Sequence, residues 1–184
     1  MDKKKRVILK LALLGDAAVG KTSLINHYIE ESFKEDYSPT LGVNIVMKKL
    51  DYENAEIQLA IWDIAGQDKY DLTRKLFFEG CYGSLLVYDI SRVSTFESIK
   101  TKWFKDFEKF ARSDGVYILI GNKVDLKEQI MVPTEKGKEL AEKLKAIDFL
   151  ETSAKFGDNV ERAFKKLVQQ VLPKFGIEIE FDLD

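Results

Sequence analysis

The sequence predicts an α/β fold: a mostly parallel sheet covered on both faces by helices, a three-layer sandwich. Three observations predict it. Strand-like apolar runs alternate with helix-like stretches; a glycine-bearing loop joins the first run to the first helix; and the polar motifs fall just past strand ends. In such sheets the crossovers are right-handed, and ligands sit beyond the carboxyl ends of the strands. A chain of 184 residues suits one domain with one continuous core.

Residues 6–14 read as a buried strand, followed by the glycine-bearing loop and a helix to about residue 31. Residues 32–42 are polar, with one Pro and one Gly, and read as an exposed loop. Two strands, 43–51 and 56–63, are joined by a hairpin at Tyr52-Glu53-Asn54-Ala55; in the second, Ile57, Leu59 and Ile61 alternate with Gln58 and Ala60. Residues 64–80 form a loop running into a short helix, and 82–89 a buried strand. Ser94-Thr95-Phe96-Glu97 fits a capping box that opens a helix to about residue 112. Then follow a strand over 116–121, a helix from Pro133-Thr134 to about 145, a short strand at Phe149-Leu150, and a last helix over 158–172 stopped by Pro173.

Composition excludes several classes. Hydrophobic residues make up 45% and charged ones 33%, as in ordinary water-soluble domains. The 29 basic and 31 acidic residues leave a net charge of −2, which asks for neither nucleic acid nor an anionic membrane. The single cysteine, Cys81, precludes an internal disulfide and agrees with a reducing compartment. With only one histidine beside it, a metal should be a hard cation on oxygen ligands. Lys3-Lys4-Lys5-Arg6 and the apolar run after it imitate a secretory signal, but Lys10 interrupts the run and cleavage at Ala17-Ala18 would cut the glycine-bearing loop. No stretch approaches the roughly 20 apolar residues of a membrane span, and Asp2 fails the N-myristoylation pattern.

Gly15-Asp16-Ala17-Ala18-Val19-Gly20-Lys21-Thr22 fits G-x-x-x-x-G-K-[ST], with the strand before it and the helix after it that the motif requires. Its chemistry is anion capture: successive backbone N–H groups turn inward, and the helix adds unsatisfied N–H groups and a positive dipole end. Ala18, Val19, Gly20, Lys21, Thr22 and Ser23 are the candidate phosphate contacts, with Lys21 on the terminal phosphates and the Thr22 hydroxyl on Mg²⁺. Asp63-Ile64-Ala65-Gly66-Gln67 begins where the third strand ends. Asp63 can hold Mg²⁺ through water, the Gly66 N–H can reach the γ-phosphate, and Gln67 can both donate to and accept from an attacking water. Asn122-Lys123-Val124-Asp125 follows the 116–121 strand. The Asp125 carboxylate can accept both N1–H and the exocyclic amine of guanine, a donor pair that adenine lacks. Asn122 can brace the loop and the Lys123 stem can cover the ring face. In Thr152-Ser153-Ala154-Lys155, backbone N–H groups could reach guanine O6. Each of these last three motifs, taken alone, is also a plain polar turn after a strand.

With these boxes in order, about residues 6–172 resemble the small GTPases of the Ras superfamily, most closely the Rab branch: Leu41-Gly42-Val43-Asn44-Ile45, Ile61-Trp62-Asp63, Phe77-Phe78-Glu79-Gly80 and Val87-Tyr88-Asp89-Ile90-Ser91 are similar to Rab segments. The resemblance implies a P-loop NTPase fold, the Ras-like G domain, with a six-stranded sheet whose second strand is antiparallel, and five helices. On that division 1–5 is a basic extension, 6–173 the G domain and 174–184 a tail. It also implies a switch that binds GTP and GDP with Mg²⁺ and slowly hydrolyses GTP. Phe33 would pack on the guanine, Tyr37 close over the phosphates, and Thr40 ligate Mg²⁺ and sense the γ-phosphate. Gln67, Thr40 and Lys21 would carry the catalysis, and Thr22, Thr40 and Asp63 would serve the metal. Residues 32–42 become switch I and 64–78 switch II; both relax when the γ-phosphate leaves. A GTPase-activating protein, an exchange factor and effectors would bind at 32–45 and 64–78. Ile45, Trp62 and Phe77 fall where Rabs read effectors, or are satellite core beneath the switches. The expected protein is a cytoplasmic monomer whose membrane contact is peripheral, through partners or a missing tail.

Some positions depart from the family pattern. Ala17-Ala18 replace glycines common there, and a methyl at Ala17 would crowd an incoming arginine, so hydrolysis is expected to be slow or unusually regulated. Ile64 replaces Thr, Asp68 replaces Glu, and no arginine lies in switch I or the phosphate loop. Residues 174–184 contain no cysteine to prenylate; Ile177, Ile179, Phe181 and Leu183 alternate with acidic residues, which reads as a frayed terminus or as a strand added to a partner or an edge. Two other readings compete. A P-loop kinase or ATPase is disfavoured by the Asn122–Asp125 box, and a nucleotide-holding scaffold without hydrolysis by Gln67 and Thr40.

Overall fold

The structure, a computed structural model, describes residues 4–30, 42–66 and 71–182. Six strands form one sheet: β1 (Lys5–Leu14), β2 (Val43–Asp51), β3 (Ala55–Ile64), β4 (Gly83–Asp89), β5 (Val116–Asn122) and β6 (Asp148–Thr152). Their order is β2-β3-β1-β4-β5-β6. β2 runs antiparallel to β3, and every other pair is parallel. Five helical rods cover the sheet: α1 (Lys21–Glu30), α2 (Asp71–Phe78), α3 (Val93–Ser98, continued without a break through a π-helical stretch, Ile99–Trp103, and Phe104–Phe110), α4 (Thr134–Leu144) and α5 (Val160–Val171). This is the Ras-like α/β architecture.

Alternation along the strands divides the core between the two faces. On one face Leu9, Leu11 and Leu13 of β1 pack with Ile57, Leu59 and Ile61 of β3 under α1 and α5, where Tyr28 and Phe164 stack at 4.1 Å. On the other, Ala12, Leu14, Leu86 and Tyr88 meet Trp103, Phe107 and Leu140 of α3 and α4. β4 is buried at every position, as a central parallel strand must be. Connections run to opposite sides of the sheet from β1 and β4, which are neighbours, so the crevice at their carboxyl ends is a topological switch point. The phosphate loop leaves β1 there.

Three local expectations need correction. Ser94 does not cap α3: the helix begins at Val93, and its start is fastened by Thr95, whose hydroxyl donates to the Arg92 carbonyl (2.8 Å) and accepts the Asp89 N–H (3.0 Å). The last helix begins at Val160 rather than 158 because Asn159 takes a left-handed φ of +55°, which no helical residue can hold. The tail is neither frayed nor a strand as far as Asp182. After a 3₁₀ turn (Leu172–Phe175) and Gly176, the Ile177 side chain is buried. Ile179 and Phe181 pack on the α1/α5 core, Phe181 edge-on to Tyr52 of the β2–β3 hairpin at 5.7 Å. Ile177, Ile179 and Phe181 therefore serve this chain's own core.

Candidate functional site

The loop leaves β1 through backbone geometry that few residues tolerate. Gly15 has φ +152°, and a Cβ there would lie 2.1 Å from the Val87 carbonyl oxygen, so the loop starts in contact with β4. Gly20 has φ +103° and would place a Cβ 2.3 Å from the Asn122 side-chain nitrogen. Between them Ala18 occupies φ +60°, a strained state for a residue with a methyl.

Every carbonyl from Gly15 to Val19 accepts a side-chain N–H. Lys21, buried at the start of α1, folds back and donates to Gly15 O (2.7 Å) and Asp16 O (2.8 Å). The Arg92 guanidinium donates to Ala17 O (3.1 Å), the Lys123 ammonium to Ala18 O (2.8 Å) and the Asn122 amide to Val19 O (2.9 Å). The N–H groups of Ala17, Ala18, Val19 and Gly20, in contrast, donate to no acceptor among the described residues. Carbonyls all engaged by side chains and amides left open make a nest for an anion. Burial pushes the Lys21 ammonium down to about 8, with Asp63 and Asp16 drawing it back up. An anion in the loop would oppose the desolvation that causes this shift.

The other predicted residues converge on this loop. Asp63, buried at the end of β3, accepts a hydrogen bond from the Thr22 hydroxyl at 2.5 Å. Two oxygen donors, one neutral and one anionic, meet beside the open amides, and no nitrogen or sulfur ligand is among them. That set fits Mg²⁺, which takes one or two protein oxygens and completes its shell with phosphate and water. Gly66 lies against the loop itself: a Cβ would come 2.3 Å from both Asp16 C and Ala17 N, so only glycine lets this segment approach. Ser23 stands in the first turn of α1. Phe33, Tyr37, Thr40 and Gln67 lie outside the described residues.

On the β5–β6 side, Asn122 is buried, and its carbonyl oxygen accepts from the Thr152 hydroxyl (2.9 Å) and the Ala154 N–H (3.2 Å). One side chain thus ties the phosphate loop, β5 and the 152–155 turn together. The Ala154 N–H is shared with Asn122, whereas the Lys155 N–H donates to no acceptor among the described residues. The Asp125 carboxylate accepts from the Ser153 hydroxyl at 2.7 Å, which holds it beside that turn. Lys123 adopts φ +75°, again a strained conformation at a functional turn.

Sequence reasoning missed the residues on the outside of the loop. Asp89, at the end of β4, is buried and accepts from Lys123 (2.7 Å), Arg92 (3.0 Å) and both the N–H (2.9 Å) and hydroxyl (2.6 Å) of Ser91. Burial opposes its charge, but the hydrogen bonds from Lys123 and Ser91 hold the carboxyl below its ordinary range. Trp103 donates its indole N–H to Asp16 at 2.7 Å from the π-helical stretch. The available signal was an Asp closing an otherwise apolar buried strand, which demands partners.

The sequence comparisons accord with this geometry. A family profile described as the Ras family matches residues 10–173. The chain belongs to the Ras family. It is 41% identical over 164 residues to the Ras-related protein RABA4b of Arabidopsis thaliana, covering 89% of this chain and 72% of that one. It is 38% identical over 167 residues to the Ras-related protein Rab-2B of Dictyostelium discoideum, 91% and 82% of the two chains. Ras-related protein Rab-8B of Pongo abelii matches at 36% over 176 residues, 96% and 84%. The chain is therefore a Rab-like small GTPase, a switch that hydrolyses GTP.

In this Rab-like GTPase the β2–β3 surface carries an exposed apolar patch. Ile45 pairs with Trp62 across the strands, and Trp62 lies 6.3 Å from Phe77 between ring centroids. Ile45, Met47 and Ile8 are 46%, 48% and 63% exposed, whereas Trp62 and Phe77 are partly buried and pack against the core beneath α3 and α4. Lys10 covers the Trp62 ring at 3.7 Å. Among the described residues no helix is long and apolar enough to cross a membrane.

Proposed function

We propose that residues 15–20 and the first turn of α1 cradle the phosphates of GTP or GDP, that Asp125 reads the guanine, and that Gln67 orients the water which attacks the γ-phosphate. The open amides of Ala17, Ala18, Val19 and Gly20, set opposite carbonyls that are all engaged, support this reading most directly. A backbone so arranged leaves its N–H groups free to meet an anion, and Lys21, bonded to the Gly15 and Asp16 carbonyls, adds a cation. The Thr22 hydroxyl and the Asp63 carboxylate, with Thr40, would hold Mg²⁺, which when bound neutralises charge on the phosphates. Gly66 is pressed on the Asp16–Ala17 peptide, where its N–H would meet the γ-phosphate.

Specificity follows from hydrogen-bond polarity. An Asp125 carboxylate offers two acceptors to the two donors on one edge of guanine, and the Ser153 hydroxyl fixes its rotamer. The Lys155 N–H, open among the described residues, would donate to O6. Phe33 and Tyr37 would cover the base and the phosphates.

Loss of the γ-phosphate removes the contacts of Thr40 and Gly66, so 32–42 and 64–78 change state and partners distinguish GTP from GDP. Effectors, an exchange factor and an activating protein would dock there and on the Ile45, Met47, Trp62 and Phe77 patch. We place the protein in the cytoplasm as a trafficking switch, with membrane contact through partners. The Ala17 methyl narrows the approach for an activator's arginine, which keeps turnover slow.

Phosphate release from GTP-loaded protein with Mg²⁺ tests the reading. Intrinsic turnover should be on the order of 10⁻⁴–10⁻² s⁻¹. Gln67→Leu should reduce it at least about tenfold while GTP binding stays within about twofold, since only the transition state loses an interaction. Equal release from ATP, or an unchanged rate in Gln67→Leu, would contradict it.

A further inference from the structure

We infer that Arg92 is a positioning residue for the reacting phosphates, acting through the peptide between Ala17 and Ala18. This rests on the reading of residues 15–20 as the phosphate cradle. The guanidinium donates to the Ala17 carbonyl at 3.1 Å. In a trans peptide the C=O and the next N–H point in opposite directions. A bond that holds the Ala17 oxygen outward therefore turns the Ala18 N–H inward, where it meets no acceptor among the described residues. The bond is charge-assisted, and it polarises the peptide, making that N–H a stronger donor to an anion.

Arg92 is itself held in place. Its Nε donates to the Asp89 carboxylate at 3.0 Å, and the same oxygen accepts from Lys123 at 2.7 Å. Lys123 in turn fixes the Ala18 carbonyl, so one buried carboxylate anchors two cations on adjacent peptides of the loop. The strained φ of +60° at Ala18 shows that this segment needs holding: an alanine there gains from relaxing, and two cationic contacts oppose it. At 39% side-chain exposure the guanidinium remains partly open to solvent, and a polar replacement leaves no large void.

The test uses the full chain loaded with GDP and Mg²⁺. In Arg92→Gln, GDP should dissociate about ten- to a hundredfold faster, the worth of one charge-assisted hydrogen bond. The Ala18 amide proton should move upfield in the NMR spectrum, and the β-phosphate ³¹P resonance should shift with it. Single-turnover GTP hydrolysis should fall by a similar factor. Arg92→Lys, which keeps a cation between Asp89 and Ala17 O, should recover most of each change. An unchanged Ala18 amide and GDP off-rate in Arg92→Gln would overturn the inference, and so would a lower melting temperature with unshifted Ala18 and phosphate resonances. If Arg92→Gln does not fold, the lysine variant decides: wild-type resonances and off-rate support the inference, and a loss equal to that of Arg92→Ala overturns it. An unaltered protein that holds no GDP would overturn the cradle reading itself, a failure visible before any variant is made.

Discussion

Lys21→Ala should lower the affinity for GDP and GTP by about 10²–10⁴-fold, or roughly 3–5 kcal/mol. Two losses combine. The ammonium is the only side-chain cation that reaches into the cradle from α1, and its attraction for phosphate acts in a buried site where water screens little. It also bonds the Gly15 and Asp16 carbonyls, so its removal frees the start of the loop. Fluorescent-nucleotide displacement would measure the first effect. Lys21→Met separates both from the packing of the stem, because it keeps the stem and loses the charge together with its carbonyl bonds; a similar loss in Met and Ala variants assigns the effect to the ammonium. Tight GDP binding retained by both variants would count heavily against the proposed site.

Asp125→Asn should reverse the choice of base. An amide cannot accept from both guanine donors, and with its nitrogen turned to the base it places N–H against N–H. The expected loss for GTP is about 10²–10³-fold, equal to roughly 3–4 kcal/mol. Xanthine carries a carbonyl where guanine carries its exocyclic amine, so the same amide N–H finds an acceptor there. Xanthosine triphosphate should therefore bind the variant better than GTP does, whereas the unaltered protein prefers GTP. The Ser153 hydroxyl, 2.7 Å from Asp125, can donate to an amide oxygen as well as to a carboxylate, so the turn should keep its shape. Competition between the two triphosphates against one labelled GDP gives the ratio directly. An unaltered GTP preference in the variant would remove Asp125 from the base site.

Most of the fold was legible because periodicity and punctuation agreed. The alternation over 56–63 gave β3 its buried face, and the apolar run before Gly15 gave β1; both lie within about a residue of their observed ends. What failed was decided by tertiary partners. Ser94 has the right residue type for a cap, but Thr95 is the side chain that reaches the end of β4. The tail alternates like an exposed edge strand, yet Ile177 and Phe181 find apolar neighbours on α5 and the β2–β3 hairpin. Along the site, motif residues do meet the loop and the first turn of α1: Lys21 and Asn122 bond its carbonyls, and Asp63 bonds Thr22. The outer contacts were illegible, because Arg92 and Trp103 belong to no motif, Asp89 carried no role within the Val87–Ser91 segment, and all three meet the loop or its partners only once β4 and α3 are packed. A π-helical stretch that aims an indole at Asp16 has no sequence signature at all.

The central claim is that this backbone cage holds a guanine nucleotide. Releasing whatever accompanies the purified, unaltered protein by acid and identifying it by mass spectrometry tests that most directly. The account predicts close to one equivalent of GDP or GTP per chain, with magnesium. A protein that yields no nucleotide, and takes up none when offered GDP and Mg²⁺, or one that yields an adenine nucleotide instead, would contradict it.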